Sequence, residues 1–216
     1  MSGGLLRSLV GMATVIAHMS MSLDGYVAGP DQSLEQPIGV GGLALHQWHF
    51  DPVDPADLPW RQELLHRGDA YIMGRNMFGP IRGPWEGDWR GWWGDEPPYH
   101  APVFVLTHHP REPIEMAGGT TFHFVTDGFD SALRRARELV GDGVVDVAGG
   151  ASTVRQALVS GALDELVIDL VPVLLGRGES MFAGVTDVEL TQAEVAHSPH
   201  ATHIRYRVAS RPPGRP

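Results

Sequence analysis

Gly149-Gly150 stands between a run of β-branched residues, Val144, Val145 and Val147, and a segment with helical spacing, Val154, Ala157 and Leu158. Strand, two-glycine turn and helix follow one another, and Gly161 sits where a helix would end in the left-handed conformation. The turn has no side chain to hold off an approaching group. The start of the helix, from Ala151 on, offers backbone N–H groups without helical partners and the positive end of a dipole, and Ser152 and Thr153 add hydroxyls. That combination suits a phosphate. The same glycines would also serve a tight turn that only lets helix and strand pack closely. The G-x-G-x-x-G spacing of the standard dinucleotide fingerprint is not met.

Asp24 is the most suggestive carboxylate. It follows the first apolar run and could hold or move a proton there, although Asp-Gly is equally a turn signal. His197, His200 and His203 recur every third residue, as do His46 and His49. On one strand, positions three apart point to opposite faces, so the first three do not converge on a metal. The chain has no cysteine, which excludes thiolate metal sites, disulfides and a cysteine nucleophile. No metal site is expected.

The elements that must carry these groups read as follows. Thr14–Met19 is a first strand. Residues 31–59 form an irregular excursion with one helical turn near Leu43–Phe50. Trp60–Arg67 is helical, Ala70–Met73 a strand, and residues 79–100 a loop holding four of the six tryptophans as anchors. Val103–Leu106 and Thr121–Val125 are strands, and Asp130–Val140 is an amphipathic helix ended by Gly141. Glu165–Val171 alternates as a strand, and Val188–Ala196 with His203–Val208 forms a closing antiparallel pair. Strands alternate with helices and then follow one another, which predicts an α/β fold: a mostly parallel central sheet with an antiparallel C-terminal edge, flanked by helices.

Length and composition fit this. The 216 residues, 43% of them hydrophobic, suffice for one well-cored domain over 12–208, with 1–11 as an N-terminal extension and 209–216 as a flexible tail. No apolar run is long enough for a bilayer, and the first residues are too short and too weakly apolar for a signal peptide, so a cytoplasmic location is expected. A net charge of −10 argues against a nucleic-acid partner.

Four motifs occur in one order. Ser22-Leu23-Asp24-Gly25-Tyr26-Val27-Ala28 follows the first strand. Met73-Gly74-Arg75-Asn76-Met77-Phe78 follows another. Val147-Ala148-Gly149-Gly150-Ala151 and Pro172-Val173-Leu174-Leu175-Gly176-Arg177-Gly178 come later. Together they resemble the pyrimidine-reductase domains of riboflavin synthesis (the C-terminal domain of the bifunctional deaminase-reductase) and their dihydrofolate-reductase-like relatives. The resemblance implies a dihydrofolate-reductase-like fold that binds NADPH and reduces a small pterin- or pyrimidine-like heterocycle or a carbonyl compound. It also implies a homodimer. A nucleotide-binding module that kept the fold without catalysis is the alternative.

By the same resemblance, Gly149, Gly150, Ala151, Ser152 and Thr153 approach the pyrophosphate. Gly74, Arg75, Asn76, Thr107 and His108 lie at the adenosine end, and Asp24 faces the reacting end. Two departures stand out. Thr107-His108-His109 replaces the family's usual Ser-Arg, which leaves Arg111 as a nearby substitute. Ala148 stands where the riboflavin reductases usually carry Glu, and Asp54, Asp57 and Glu63 lie in the region of the folate enzyme's acid.

Overall fold

The computed structural model describes residues 12–80 and 82–209; the expected extension and most of the expected tail lie outside them. In chain order the elements are β1 (Thr14–Ser22), β2 (Tyr26–Ala28), a 3₁₀ helix (Gly42–His49), α1 (Leu58–His66), β3 (Ala70–Gly74), α2 (Arg75–Phe78) and β4 (Pro102–Leu106). There follow β5 (Ile114–Glu115), a short 3₁₀ turn (Ala117–Gly119), β6 (Thr121–Val125), α3 (Phe129–Val140), β7 (Val144–Gly149) and α4 (Ala151–Val159). β8 (Glu165–Val171), β9 (Glu179–Ser180), β10 (Leu190–His197) and β11 (Thr202–Val208) complete the chain.

Nine strands form one sheet in the order β10-β11-β8-β1-β7-β3-β4-β6-β5. The six from β8 to β6 are parallel, and β11 and β10 add the antiparallel edge. The other edge also ends antiparallel, because β5 pairs back on β6. Two-residue strands such as β5 and β9 carry no period, so the sequence pattern does not reveal them. β1 runs on to Ser22, beyond its apolar run, because β8 pairs with it as far as Val171.

The period-two pattern of the strands divides the core between two faces. On one, Val15, Ala17, Ile72, Val145, Val147, Leu166 and Ile168 pack against the apolar stripes of α3 and α4. On the other lie two separate clusters. Tyr71, Met73, Val103, Val105 and Phe122 gather Phe78 with Trp85 and Trp89. Val167 and Val171 gather Leu45, Trp48 and Trp60 from the 3₁₀ helix and α1. Between these clusters the buried surface of β1 and β7 includes polar side chains: His18, Ser20 and Asp146.

Candidate functional site

The residues singled out for phosphate binding meet at the carboxyl ends of the parallel strands. Met73 of β3 is level with Gly149 of β7, and Gly74 is level with Leu106 of β4. Ligands of open α/β sheets bind beyond such strand ends. The Gly149-Gly150 peptide is cis, and Gly149 has φ 124°, a backbone region open to glycine rather than to branched residues. A Cβ on Gly149 would lie 3.3 Å from Met19 Sδ, but a Cβ on Gly150 would meet nothing within 4 Å. Gly150, at φ −72°, caps α4 without a side-chain hydrogen bond. Its carbonyl accepts from Thr153 N and Val154 N, so the helix turns directly out of the glycine pair. Across the cradle, a Cβ on Gly74 would come within 2.9 Å of Thr153 Oγ1. The end of β3 and the head of α4 are that close only because position 74 has no side chain.

The adenosine-end residues form the neighbouring cluster. The Arg75 guanidinium, at the start of α2, lies over the Trp85 ring, and Arg111 stands 4.8 Å from the same ring. Burial and the Arg111 charge push Arg75 down to about 10, still a cation at neutral pH. Trp85 Nε1 donates to His109 O at 2.8 Å, and His109 N donates to Thr107 Oγ1 at 3.1 Å. The tryptophan loop, Arg75 and the Thr107-His108-His109 turn are thus tied together, with His108 exposed and Asn76 half-buried in α2. Trp89 Nε1 donates to Phe78 O, and Arg111 Nη1 donates to Trp89 O. These bonds pin the loop by its tryptophans, as aromatic anchors should.

Asp24 lies at the turn after β1, where its carboxylate is already occupied. Oδ1 accepts from Ser22 Oγ at 2.6 Å and Leu175 N at 3.1 Å, and Oδ2 accepts from Gly176 N at 2.6 Å. The Ser22 hydroxyl above all, with the two amides, holds the carboxyl below its usual range. Asp24 therefore fastens the turn after β1 to the loop after β8, and the three hydrogen bonds donated to it stabilise its ionised form.

The three acids left open by sequence are committed elsewhere. Asp54 Oδ1 accepts from Ala56 N. Glu63 joins Arg67 and Arg205, which also reach Glu165. Asp57, at the head of α1, accepts from His203 Nε2 at 2.9 Å and Ser198 Oγ at 3.0 Å. His203 belongs to this buried network and not to a histidine triplet: His197 ends β10, and His200 lies in the turn beyond. Among the described residues no group of three or more His, Asp or Glu side chains is arranged to hold a metal ion.

The network continues inward. His203 Nδ1 lies 2.7 Å from Asp169 Oδ1, and His18 Nε2 reaches the same carboxylate at 3.0 Å. Ser20 Oγ donates to Asp169 and accepts from Trp48 Nε1 at 2.9 Å. Trp60 stacks on the His203 ring with centroids 5.0 Å apart. Sequence reasoning missed this assembly because its members come from five separate segments. Beside it, Asp146 is buried, and its Oδ1 and His18 Nδ1 have no hydrogen-bond partner among the described residues.

The RibD C-terminal domain model matches residues 13–204. The chain belongs to the RibD C-terminal domain family. Its sheet is that of dihydrofolate-reductase-like proteins. A Shewanella protein assigned to riboflavin biosynthesis superposes with TM-score 0.62 at 22% identity, covering 91% of this chain and 99% of the other. A Thermotoga maritima deaminase/5-amino-6-(5-phosphoribosylamino)uracil reductase gives TM-score 0.56 at 17% identity over 92% of this chain. This RibD-type chain spans only 57% of that bifunctional protein. Dihydrofolate reductase from Enterococcus faecalis, in a complex with NADP(H), gives TM-score 0.53 at 16% identity over 92% of this chain and 98% of its own. No curated protein sequence matches this one.

Proposed function

We propose that this RibD-type domain is a nicotinamide-dependent reductase that uses NADPH to reduce a small pyrimidine- or pterin-like heterocycle or a carbonyl compound. The observation that carries the reading is the cradle at Gly150, where open space faces the uncapped head of α4. The amides of Ala151 and Ser152 and the hydroxyls of Ser152 and Thr153 stand where a pyrophosphate would be held. Arg75, Asn76, Thr107 and His108 are the corresponding adenosine-end residues. NADPH, when bound, supplies the hydride. The chain's own task is to orient the two reactants and furnish a proton.

Asp24 acts in this reading as a positioning residue. Its bonds to Leu175 N and Gly176 N keep the two loops in register over the reacting end. The alternative, a nucleotide-binding module without catalysis, has one observation in its favour: Asp24, Asp57 and Glu63 all have their carboxylates engaged. Related domains reported as reductases, the match to the family and the cradle weigh toward the enzyme.

The test has two parts. NADPH at about a hundred times its Kd adds roughly 2.7 kcal/mol of stability if it binds only the folded state, so the melting temperature should rise. No shift at millimolar NADPH would remove the cofactor assignment. Loss of NADPH absorbance on adding a pyrimidine or pterin would then separate the reductase from the binding module.

A homodimer and a cytoplasmic location complete the proposal. β10 closes the sheet with its outer edge uncovered in this single chain, and Leu190 and Val195 on it are exposed. Among the described residues no helix is long and apolar enough to cross a membrane.

A further inference from the structure

The reduction proposed above consumes one proton for each hydride, and Asp24, Asp57 and Glu63 all have their carboxylates engaged. The 3₁₀ helix Gly42–His49 carries another pair of proton-bearing groups. With three residues per turn, positions i and i+3 of such a helix lie one above the other. Leu45 and Trp48 accordingly form one stripe, buried against Val167 and Val171. His46 and His49 form the next stripe, with His46 Nδ1 3.1 Å from His49 Nε2.

Neither ring has another hydrogen-bond partner among the described residues. Both residues are half-buried, so part of each remains open to solvent. The helix is fastened to β1 through Trp48 Nε1, which donates to Ser20 Oγ. Met19 of β1 packs against the glycine turn, its Sδ 3.3 Å from where a Cβ on Gly149 would stand, and Ser20 is the next residue of β1. The histidine pair is therefore anchored at the level of the cradle.

Counting protons gives the pair an unusual property. Two neutral imidazoles hold two ring protons. One lies in the bond between them. The other must then sit on an outer nitrogen: on His46 Nε2 if His49 donates in the bond, on His49 Nδ1 if His46 does. In either arrangement the pair presents one N–H donor and one lone pair, and shifting the shared proton exchanges the two ends.

We propose that His46 and His49 form the proton relay of this reductase, with His46 Nε2 giving the proton to the substrate and His49 Nδ1 reloaded from solvent. This inference rests on the reductase reading. The substrate's C=N or C=O carbon gains the hydride that NADPH loses, leaving NADP⁺. As the double bond becomes single, its nitrogen or oxygen takes the His46 Nε2 proton. The shared proton moves from His49 Nε2 to His46 Nδ1, and His49 Nδ1 takes one proton from water. No charge accumulates on either ring, and solvent exchange at the outer nitrogens restores the starting arrangement.

The surroundings keep the pair neutral. Burial, then the neighbouring His49, pushes His46 down to about 4 against the pull of Asp169. Burial likewise lowers His49; Asp169 on β8 opposes it, while Arg61 on α1 and His18 on β1 add to it.

Two measurements test the relay. Nitrogen-15 NMR of the histidine rings in the cofactor-free protein needs no turnover. Between pH 6 and pH 8 both rings should be neutral, each nitrogen averaged between protonated and bare. A fixed tautomer, or an imidazolium at either position, overturns the proposal. The second measurement follows NADPH oxidation with 5-amino-6-(5-phosphoribosylamino)uracil and with dihydrofolate. His46→Gln and His49→Gln should each lower kcat by about a hundredfold, the usual scale for losing a general acid. The double variant should be no slower than either single one, and NADPH affinity should be unchanged in all three. Single variants within about twofold of wild type, or losses that multiply in the double variant, overturn the relay. A wild-type protein that binds NADPH but oxidises it with neither compound overturns the reductase reading for them, and the NMR result then decides whether the pair has the exchange that a relay requires.

Discussion

His203 Nδ1 lies 2.7 Å from Asp169 Oδ1, and the opposite nitrogen of the same ring lies 2.9 Å from Asp57 Oδ1. Two carboxylates facing both nitrogens favour a proton on each, and so favour the charged form of the buried His203 ring. Burial works against that charge, but the bonds to Asp169 and Asp57 outweigh it and raise the pKa above the ordinary value. The ring joins β11 to β8 and to the head of α1. His203→Ala leaves two buried carboxylates without their shared partner and should cost about 3–5 kcal/mol. The raised pKa sets the sign with pH. The contribution is whole below the unfolded pKa of about 6.5 and drains as pH climbs through the native value. Urea unfolding from pH 6 upward should show this alkaline loss in wild type and not in a folded His203→Gln variant.

Asp146 has the opposite problem. Burial lifts its carboxyl to about 7, with His18 pulling it down only in part. The native chain therefore holds a proton that the unfolded chain releases near pH 4, and stability should fall as pH rises from about 4 to about 7. Asp146→Asn removes the titration. It should be more stable than wild type at pH 8 by up to about 4 kcal/mol, three pKa units at 1.36 kcal/mol each, and nearly equal to it at pH 4. Equal urea midpoints at pH 8 would show that Asp146 pays no such penalty.

The sheet was legible wherever a local period reached the core. β4, β6 and β8 lie within a residue of the apolar or alternating runs that announce them, because each turns buried side chains toward the core. The glycine turn was legible because an open backbone approach has few other residue types that permit it. The His18–Asp169–His203–Asp57 file was not, since nothing local relates residues up to 151 positions apart. His46 and His49 were visible as a spacing of three. What that spacing means depends on a 3₁₀ helix within an otherwise aperiodic excursion, which pattern alone did not specify.

Gly150→Val should separate binding from folding. A side chain there enters empty space, and φ −72° suits any residue, so the variant should fold with a melting temperature near that of wild type. The same side chain fills the space assigned to the pyrophosphate, and NADPH affinity should fall by more than about tenfold, over 1.4 kcal/mol. Gly149→Val is the contrast, since φ 124° and Met19 Sδ at 3.3 Å penalise folding itself. Normal NADPH binding by folded Gly150→Val would remove the cradle from the site.

The β10 edge should mediate a homodimer. Seven of its eight residues are exposed in the single chain, and its outer backbone groups remain available for pairing. Light scattering at micromolar concentration should give about twice the 23.5 kDa chain mass. Val195→Arg should shift the mass to the monomer while leaving circular dichroism unchanged. A wild-type mass near that of one chain would contradict the dimer.

Arg75 should set the preference for NADPH over NADH. It starts α2 directly after Gly74, next to the cradle, and its guanidinium lies over the Trp85 ring. Arg111 approaches the same indole, and the two like charges disfavour one another, an arrangement that a bound anion would relieve. The exposed 2′-phosphate is the anion that distinguishes the two cofactors, and an arginine fork can bond two of its oxygens at once. A charge-assisted bond of this kind is worth roughly 1.5–3 kcal/mol, or about ten- to a hundredfold in affinity. Arg75→Ala should therefore weaken NADPH by that factor and NADH little, while Arg75→Lys recovers only part of the loss. Trp85→Leu should reproduce a fraction of the effect, because the ring under the guanidinium orients the fork. His108→Ala should have a smaller effect, since His108 is exposed at the edge of the cluster. Calorimetry with both cofactors on each variant measures these differences, and equal losses for NADPH and NADH would show that Arg75 does not contact the 2′-phosphate.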